Sequence, residues 1–431
     1  MKNIKVFEFI SGLTLFLVFF SILFLNWYNN TNPSYFLVFG VFALIFLILI
    51  NKKISKANFK IFLYVFIFIL YIFINIILTN NHTYFWESMI NYTFIPFMSA
   101  IFYLIIKKNN DYFINNKLLK WMFIAFNLYY FINSIITIIQ IYNPGFLVHN
   151  WSNNTFYLDQ ICGFIGTNGT GRLMLFNIIC IFINYIMINN IRFKKISKIM
   201  LTYIIISSCY ISIYNDSRMY FFLLLLFLFP LFFENERLKK KSRNFNKIII
   251  LVVIFIIFSF IYLVSDDVHE IVYNKLINPY INRTINNVNI SNLNNSSEER
   301  IVLIKRIINK TDNIVIGNGI GSISHNGNEI NRHLGLNDYN IRLYSGGIVY
   351  VILITIIYNI VFSSYCKSRM NFYNKIYNLI IIIILAFYTQ IFTYVDKSFL
   401  ISTIFYLNSI ILCNDRGDNN EKNRNYNLNR L

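Results

Sequence analysis

Apolar runs bounded by polar residues recur along the chain, most of them long enough to cross a bilayer as helices, since about 20 apolar residues span the hydrocarbon. They lie at about Phe7–Leu25, Ser34–Ile50, Phe59–Leu78, Met89–Ile106, Leu118–Ile141 and Gly171–Ile188, then Ile199–Tyr214, Met219–Phe233, Ile248–Val264, Gly346–Cys366, Ile376–Val395 and Phe399–Cys413. In lipid each backbone N–H and C=O needs a partner within the protein, so such runs predict helices. The expected fold is therefore all-α, a polytopic bundle of about twelve transmembrane helices. Residues 1–265 hold helices one to nine, 266–345 one large loop, 346–413 helices ten to twelve, and 414–431 a polar tail.

Composition agrees: 56% of the 431 residues are hydrophobic, 19% are aromatic and 13% are charged. A net charge of +19 raises nucleic acid as a partner, but that needs basic residues gathered on one soluble face. Here they alternate between loops. Lys52, Lys53, Lys56 and Lys60 follow the second run, Lys107, Lys108, Lys117 and Lys120 the fourth, and Arg192, Lys194, Lys195 and Lys198 the sixth. Arg237, Lys239, Lys240, Lys241, Arg243 and Lys247 follow the eighth, whereas the first and third loops carry no Lys or Arg. The positive-inside rule then places both termini in the cytoplasm. The first run lacks a small-x-small cleavage site and is expected to be retained. The five cysteines show neither a disulfide framework nor metal spacing. Asparagine is spread throughout with other AT-coded residues, so isolated asparagines are given no weight.

Two outer segments break the pattern of short connections. The first, Asn143 to Thr170, mixes aromatics with turn formers and includes Trp151, Phe156 and Tyr157. The second, about Asp266 to Ser345, is far longer than a bundle connection. Within it SSEERIVLIKRIINK has a serine cap, the first-turn acids Glu298 and Glu299, and isoleucines at helical spacing, predicting an amphipathic helix on the outer face. GNGIGSISHNGNE follows as a glycine-rich turn. It lacks the Lys-Ser/Thr ending of a phosphate-binding P-loop.

Arg172 opens the sixth helix and Arg218 the eighth, both at the outer boundary. Snorkelling to lipid headgroups explains either alone. An anion site explains both, since guanidinium groups and helix N-termini together suit phosphate. Arg300, Arg306 and Arg342 are candidates to complete the cluster. His325 and His333 are candidate proton acceptors. Asp338 is a second, although an Asp after Asn in a turn commonly caps a helix. His82, His149 and His269 have no metal-ligand spacing, so no metal is assigned.

In the order of these pieces the chain resembles the bacterial O-antigen polymerase and O-antigen ligase superfamily. GFIGTNGTGR enters one helix, Ser217 and Arg218 open another, and EERIVLIKRI, GNGIGS and LNDYNIRLYSGGIVYVI follow in the large loop. The resemblance implies a GT-C-like bundle and a membrane glycosyltransferase without metal or cofactor, polymerising oligosaccharide repeat units into O-antigen or capsular polysaccharide. Its partners are an undecaprenyl-diphosphate-linked donor and acceptor within membrane lipid, with a chain-length regulator left open. Arg172, Arg218 and Arg300 are expected to hold the donor diphosphate. Where the family has the histidine of an HN motif this chain has Leu336 and Asn337, so His333 is the first choice of base and Asp338 the second. The loose motif match favours polymerase over ligase. A flippase for the same lipid-linked sugars would need intramembrane charges and broken helices. A non-catalytic scaffold would tolerate replacement of its arginines.

Overall fold

The computed structural model describes residues 2–29, 33–50, 56–80, 83–109, 113–148, 161–166, 169–188, 190–215, 307–324, 338–365, 372–388 and 394–414, with Phe392 and a few residues between 220 and 227. Among them the chain is helical with no strand. Its elements are α1 (Lys2–Phe20), α2 (Asn26–Asn29), α3 (Ser34–Ile50), α4 (Lys56–Thr79), α5 (Phe85–Ser88), α6 (Ile95–Asn109), α7 (Phe113–Tyr142), α8 (Thr170–Met187), α9 (Lys194–Tyr214), α10 (Asp338–Ser363), α11 (Phe372–Tyr388) and α12 (Val395–Asn414). The π-helical turn Ser21–Leu25 joins α1 to α2, and a second, Met89–Phe94, joins α5 to α6.

Among the described residues six stretches are long and apolar enough to cross a membrane: Val6–Tyr28, Phe85–Lys107, Lys117–Tyr142, Thr170–Met187, Lys194–Tyr214 and Asp338–Ser363. The chain is thus a helical membrane protein. Shorter apolar helices occupy Ser34–Leu49, Leu63–Thr79 and Lys375–Phe387. Ten of the twelve expected runs coincide with helices, while Ile248–Val264 and most of Met219–Phe233 lie outside the described residues.

α8 and α12 form the centre. Every residue from Arg172 to Asn184 and from Ser398 to Ile411 is buried, as expected of helices enclosed by neighbours on all sides. Around them α3 and α4 turn large apolar side chains outward, such as Tyr35, Phe39 and Ile77. Lipid is as apolar as these residues, so helices associate through close packing and polar contacts. α12 supplies a ladder of them: Ser398 and Ser402 meet Ser99 at 3.0 and 3.3 Å, Thr403 meets Tyr103 at 2.6 Å, and Ser409 accepts from Lys107 at 2.9 Å. Asn184 and Asn127 exchange amide hydrogen bonds of 2.8 and 3.3 Å between α8 and α7.

α10 begins at Asp338 and not at the expected Gly346, and this difference matters for the site. Hydropathy stops at the Gly346–Gly347 pair, yet the backbone runs helically on both sides of a break at Gly347, where φ is 67°. The segment before it repairs the break. Asn318 and Gly319 N–H donate to the Tyr344 and Ser345 carbonyls at 2.8 and 2.9 Å, and Ile348 N–H donates to Ile314 O at 3.0 Å. Residues 313–324 therefore form a strap whose backbone pairs with that of α10, with Gly317, Gly319 and Ile320 buried beneath it. The amphipathic helix expected before the strap lies outside the described residues except for its last turn, where Ile307 is buried.

Candidate functional site

α8, α10 and α12 begin at one end of the bundle, and the segment Phe392–Lys397 is strung between them. At its first residue, Phe392 N–H donates to Asp338 Oδ2 at 3.0 Å while the Phe392 carbonyl accepts from Arg342 NH2 at 3.4 Å. Both side chains belong to the first turns of α10 and are buried, Asp338 at 0% and Arg342 at 2% exposure. At the other end of the segment Asp396 Oδ2 pairs with Arg172 Nε at 3.2 Å, tying α12 to α8. Two arginine and two aspartate side chains thus share one short stretch of chain.

Local sequence explains these positions. Pro96 has no N–H to reach back four residues to the Tyr92 carbonyl, and that carbonyl accepts from Arg342 NH2 at 3.4 Å. Arg342 Nε is buried with no hydrogen-bond partner, and its charge lies within electrostatic reach of Tyr350 and Tyr358. Gly169 precedes α8 without a side-chain cap, and its carbonyl accepts the first helical hydrogen bond from Leu173 N–H at 2.8 Å, which places Arg172 in the first turn at the positive end of the helix dipole. Asp396 and Lys397 stand in the first turn of α12, where the helix dipole favours an anion. The Lys397 ammonium lies 4.7 Å from the Tyr394 ring centre, and its chain crosses Gly171, where a Cβ would come within 3.2 Å of Cε. Burial, then the Asp396 and Asp338 carboxylates, push the Tyr394 phenol up.

Of the residues singled out in the sequence, Arg172, Arg342 and Asp338 are described. Arg172 does not reach out as a snorkelling side chain would: its side chain is 9% exposed and paired with an acid. Asp338 binds the neighbouring Phe392 N–H. Arg218, Arg300, Arg306, His325 and His333 lie outside the described residues, as do His82, His149, His269, Trp151, Phe156 and Tyr157. Asn215, just after α9, donates to Ile161 O at 3.3 Å, just before the turn that leads into α8. Among the described residues no three His, Cys, Asp or Glu side chains group as a metal site requires.

The sequence pattern missed Asp396, Lys397 and several buried amides. Asn75 on α4 donates to Ile316 O at 2.6 Å and accepts from Ile320 N–H at 2.8 Å, holding the strap from both sides. Tyr71 adds a hydrogen bond to the Gly346 carbonyl at the break itself. On α7, Gln140 accepts from Gly163 N–H at 2.8 Å and Asn133 from Phe164 N–H at 2.7 Å, fixing the turn that precedes α8. The available signal was a lone amide inside an apolar run, where an unmatched polar group is costly.

Comparison with protein-family models, with curated proteins and with solved structures finds no match for this chain.

Proposed function

We propose that the chain is a metal-independent glycosyltransferase that polymerises undecaprenyl-diphosphate-linked oligosaccharide repeat units at the outer face of a bacterial plasma membrane, with both termini in the cytoplasm. The observation that carries this is Arg172, buried at the start of α8 beside the start of α12 and paired with a partly exposed carboxylate. A guanidinium beside helix N-termini is suited to a diphosphate.

In the reaction a sugar hydroxyl of the acceptor attacks the anomeric carbon of the donor. The bond from that carbon to the lipid diphosphate breaks, and the leaving diphosphate is neutralised by Arg172, with Arg218 and Arg300 as further ligands. His333 is the first candidate to take the hydroxyl proton. Asp338, fully buried and committed to Phe392, is the second. Transfer to a different acceptor would make the same chemistry a ligase.

A flippase for the same lipid-linked sugars is the second reading, favoured by the broken α10 with Asp338 and Arg342 buried before the break. One experiment separates the two. Arg172→Ala, Arg218→Ala and Arg218→Lys are expressed in a strain lacking the native gene, and glycan length and sidedness are measured after membrane insertion is confirmed. Single repeat units stalled at the outer face support the polymerase. Units retained at the cytoplasmic face support the flippase, and long polymer in every variant removes both arginines from the reaction.

A further inference from the structure

Resting on the anion-site reading, we infer that Asp396 is a positioning residue that occupies the phosphate place on Arg172 and is exchanged for the donor diphosphate. The Arg172–Asp396 pair is asymmetric: the guanidinium side chain is 9% exposed and the carboxylate 21%. Asp396 is therefore the partner that can leave toward water, while Arg172 is held by its burial in the core. The other carboxylate oxygen, Oδ1, accepts only locally among its described bonds, from Lys397 N–H at 2.9 Å, so side-chain rotation releases it without moving the backbone.

The carboxylate also sits where a phosphate oxygen is best stabilised. Arg172 lies on one side in the first turn of α8, Lys397 crosses Gly171 nearby, and the first turn of α12 adds its dipole. A resident carboxylate at Nε helps keep Arg172 aimed while no donor is bound. It also competes with the diphosphate, which weakens binding and favours departure of the leaving lipid diphosphate after transfer.

The test measures undecaprenyl diphosphate binding to the full-length protein in nanodiscs, for the wild type, Asp396→Asn, Asp396→Glu and Arg172→Ala. Asp396→Asn is expected to bind up to about fivefold tighter, because the competing charge is gone while the amide still fills the space. Asp396→Glu should stay near wild type, and Arg172→Ala should bind at least about tenfold weaker. A purely structural role predicts the opposite sign for Asp396→Asn. Binding by Asp396→Asn that is equal to or weaker than wild type overturns the exchange, as does failure of that variant to insert, since an exchangeable partner must be dispensable for folding. Wild-type binding that Arg172→Ala leaves unchanged overturns instead the anion-site reading beneath it.

Discussion

Arg342 is the residue whose environment departs most from its sequence context. In a polar loop it would be a solvated cation, but α10 carries it inward until it is 2% exposed, with backbone carbonyls of two other elements as partners. Removing one member of a buried charged set leaves the rest uncompensated, at a cost of about 3–5 kcal/mol. Arg342→Ala is therefore expected to lower the thermal unfolding midpoint of the purified protein sharply, and an unchanged midpoint would show that Asp338 does not depend on it. Asn75→Leu strands a carbonyl and an N–H of the strap, each worth about 1–3 kcal/mol when buried. Faster amide exchange over residues 313–321 is the expected result. Neither dependence was legible in the sequence, because an asparagine in an apolar helix looks the same whether it faces lipid, a neighbouring helix or a loop.

At the scale of elements, the strap and the broken helix form one unit. Gly317 and Gly347 both have φ in the left-handed region, and a Cβ on Gly317 would come within 2.5 Å of Gly347 N, so the two backbones touch with no room between them. Gly347→Ala would drive its new methyl into the Val315 carbonyl and should unseat the strap. Thiol labelling reads this directly. In a cysteine-free background, Ile320→Cys is expected to resist a water-soluble maleimide and Asp312→Cys to react, matching their buried and exposed positions. Adding Gly347→Ala should make position 320 reactive. The sequence marked GNGIGS as a turn and the tenth helix as starting at Gly346. Hydropathy could do no better, since the hydrogen bonds that continue the helix past its glycines come from the strap, at Ile314, Asn318 and Gly319.

For the whole molecule, the alternation of basic loops predicts that the Arg172 end faces outward. Asn80, at the end of α4, and Arg192, in the turn before α9, are both exposed and lie at opposite ends of the bundle. Asn80→Cys should be labelled in whole cells by a membrane-impermeant reagent, and Arg192→Cys only after permeabilisation. The reverse pattern would place the charged cluster in the cytoplasm and remove the proposed access to outer-face glycans.

The membrane character, the positions of ten helices and the choice of Arg172 as unusual all followed from sequence, because hydropathy and loop charge are local and additive along the chain. Which helices became central, where α10 begins and which acid meets Arg172 did not. Asp396 lies 224 residues further along than Arg172, and nothing in either neighbourhood names the other. Their pairing exists because α8 and α12 pack side by side with their N-termini level. A long-range contact of that kind is decided by helix packing, after the helices themselves have formed.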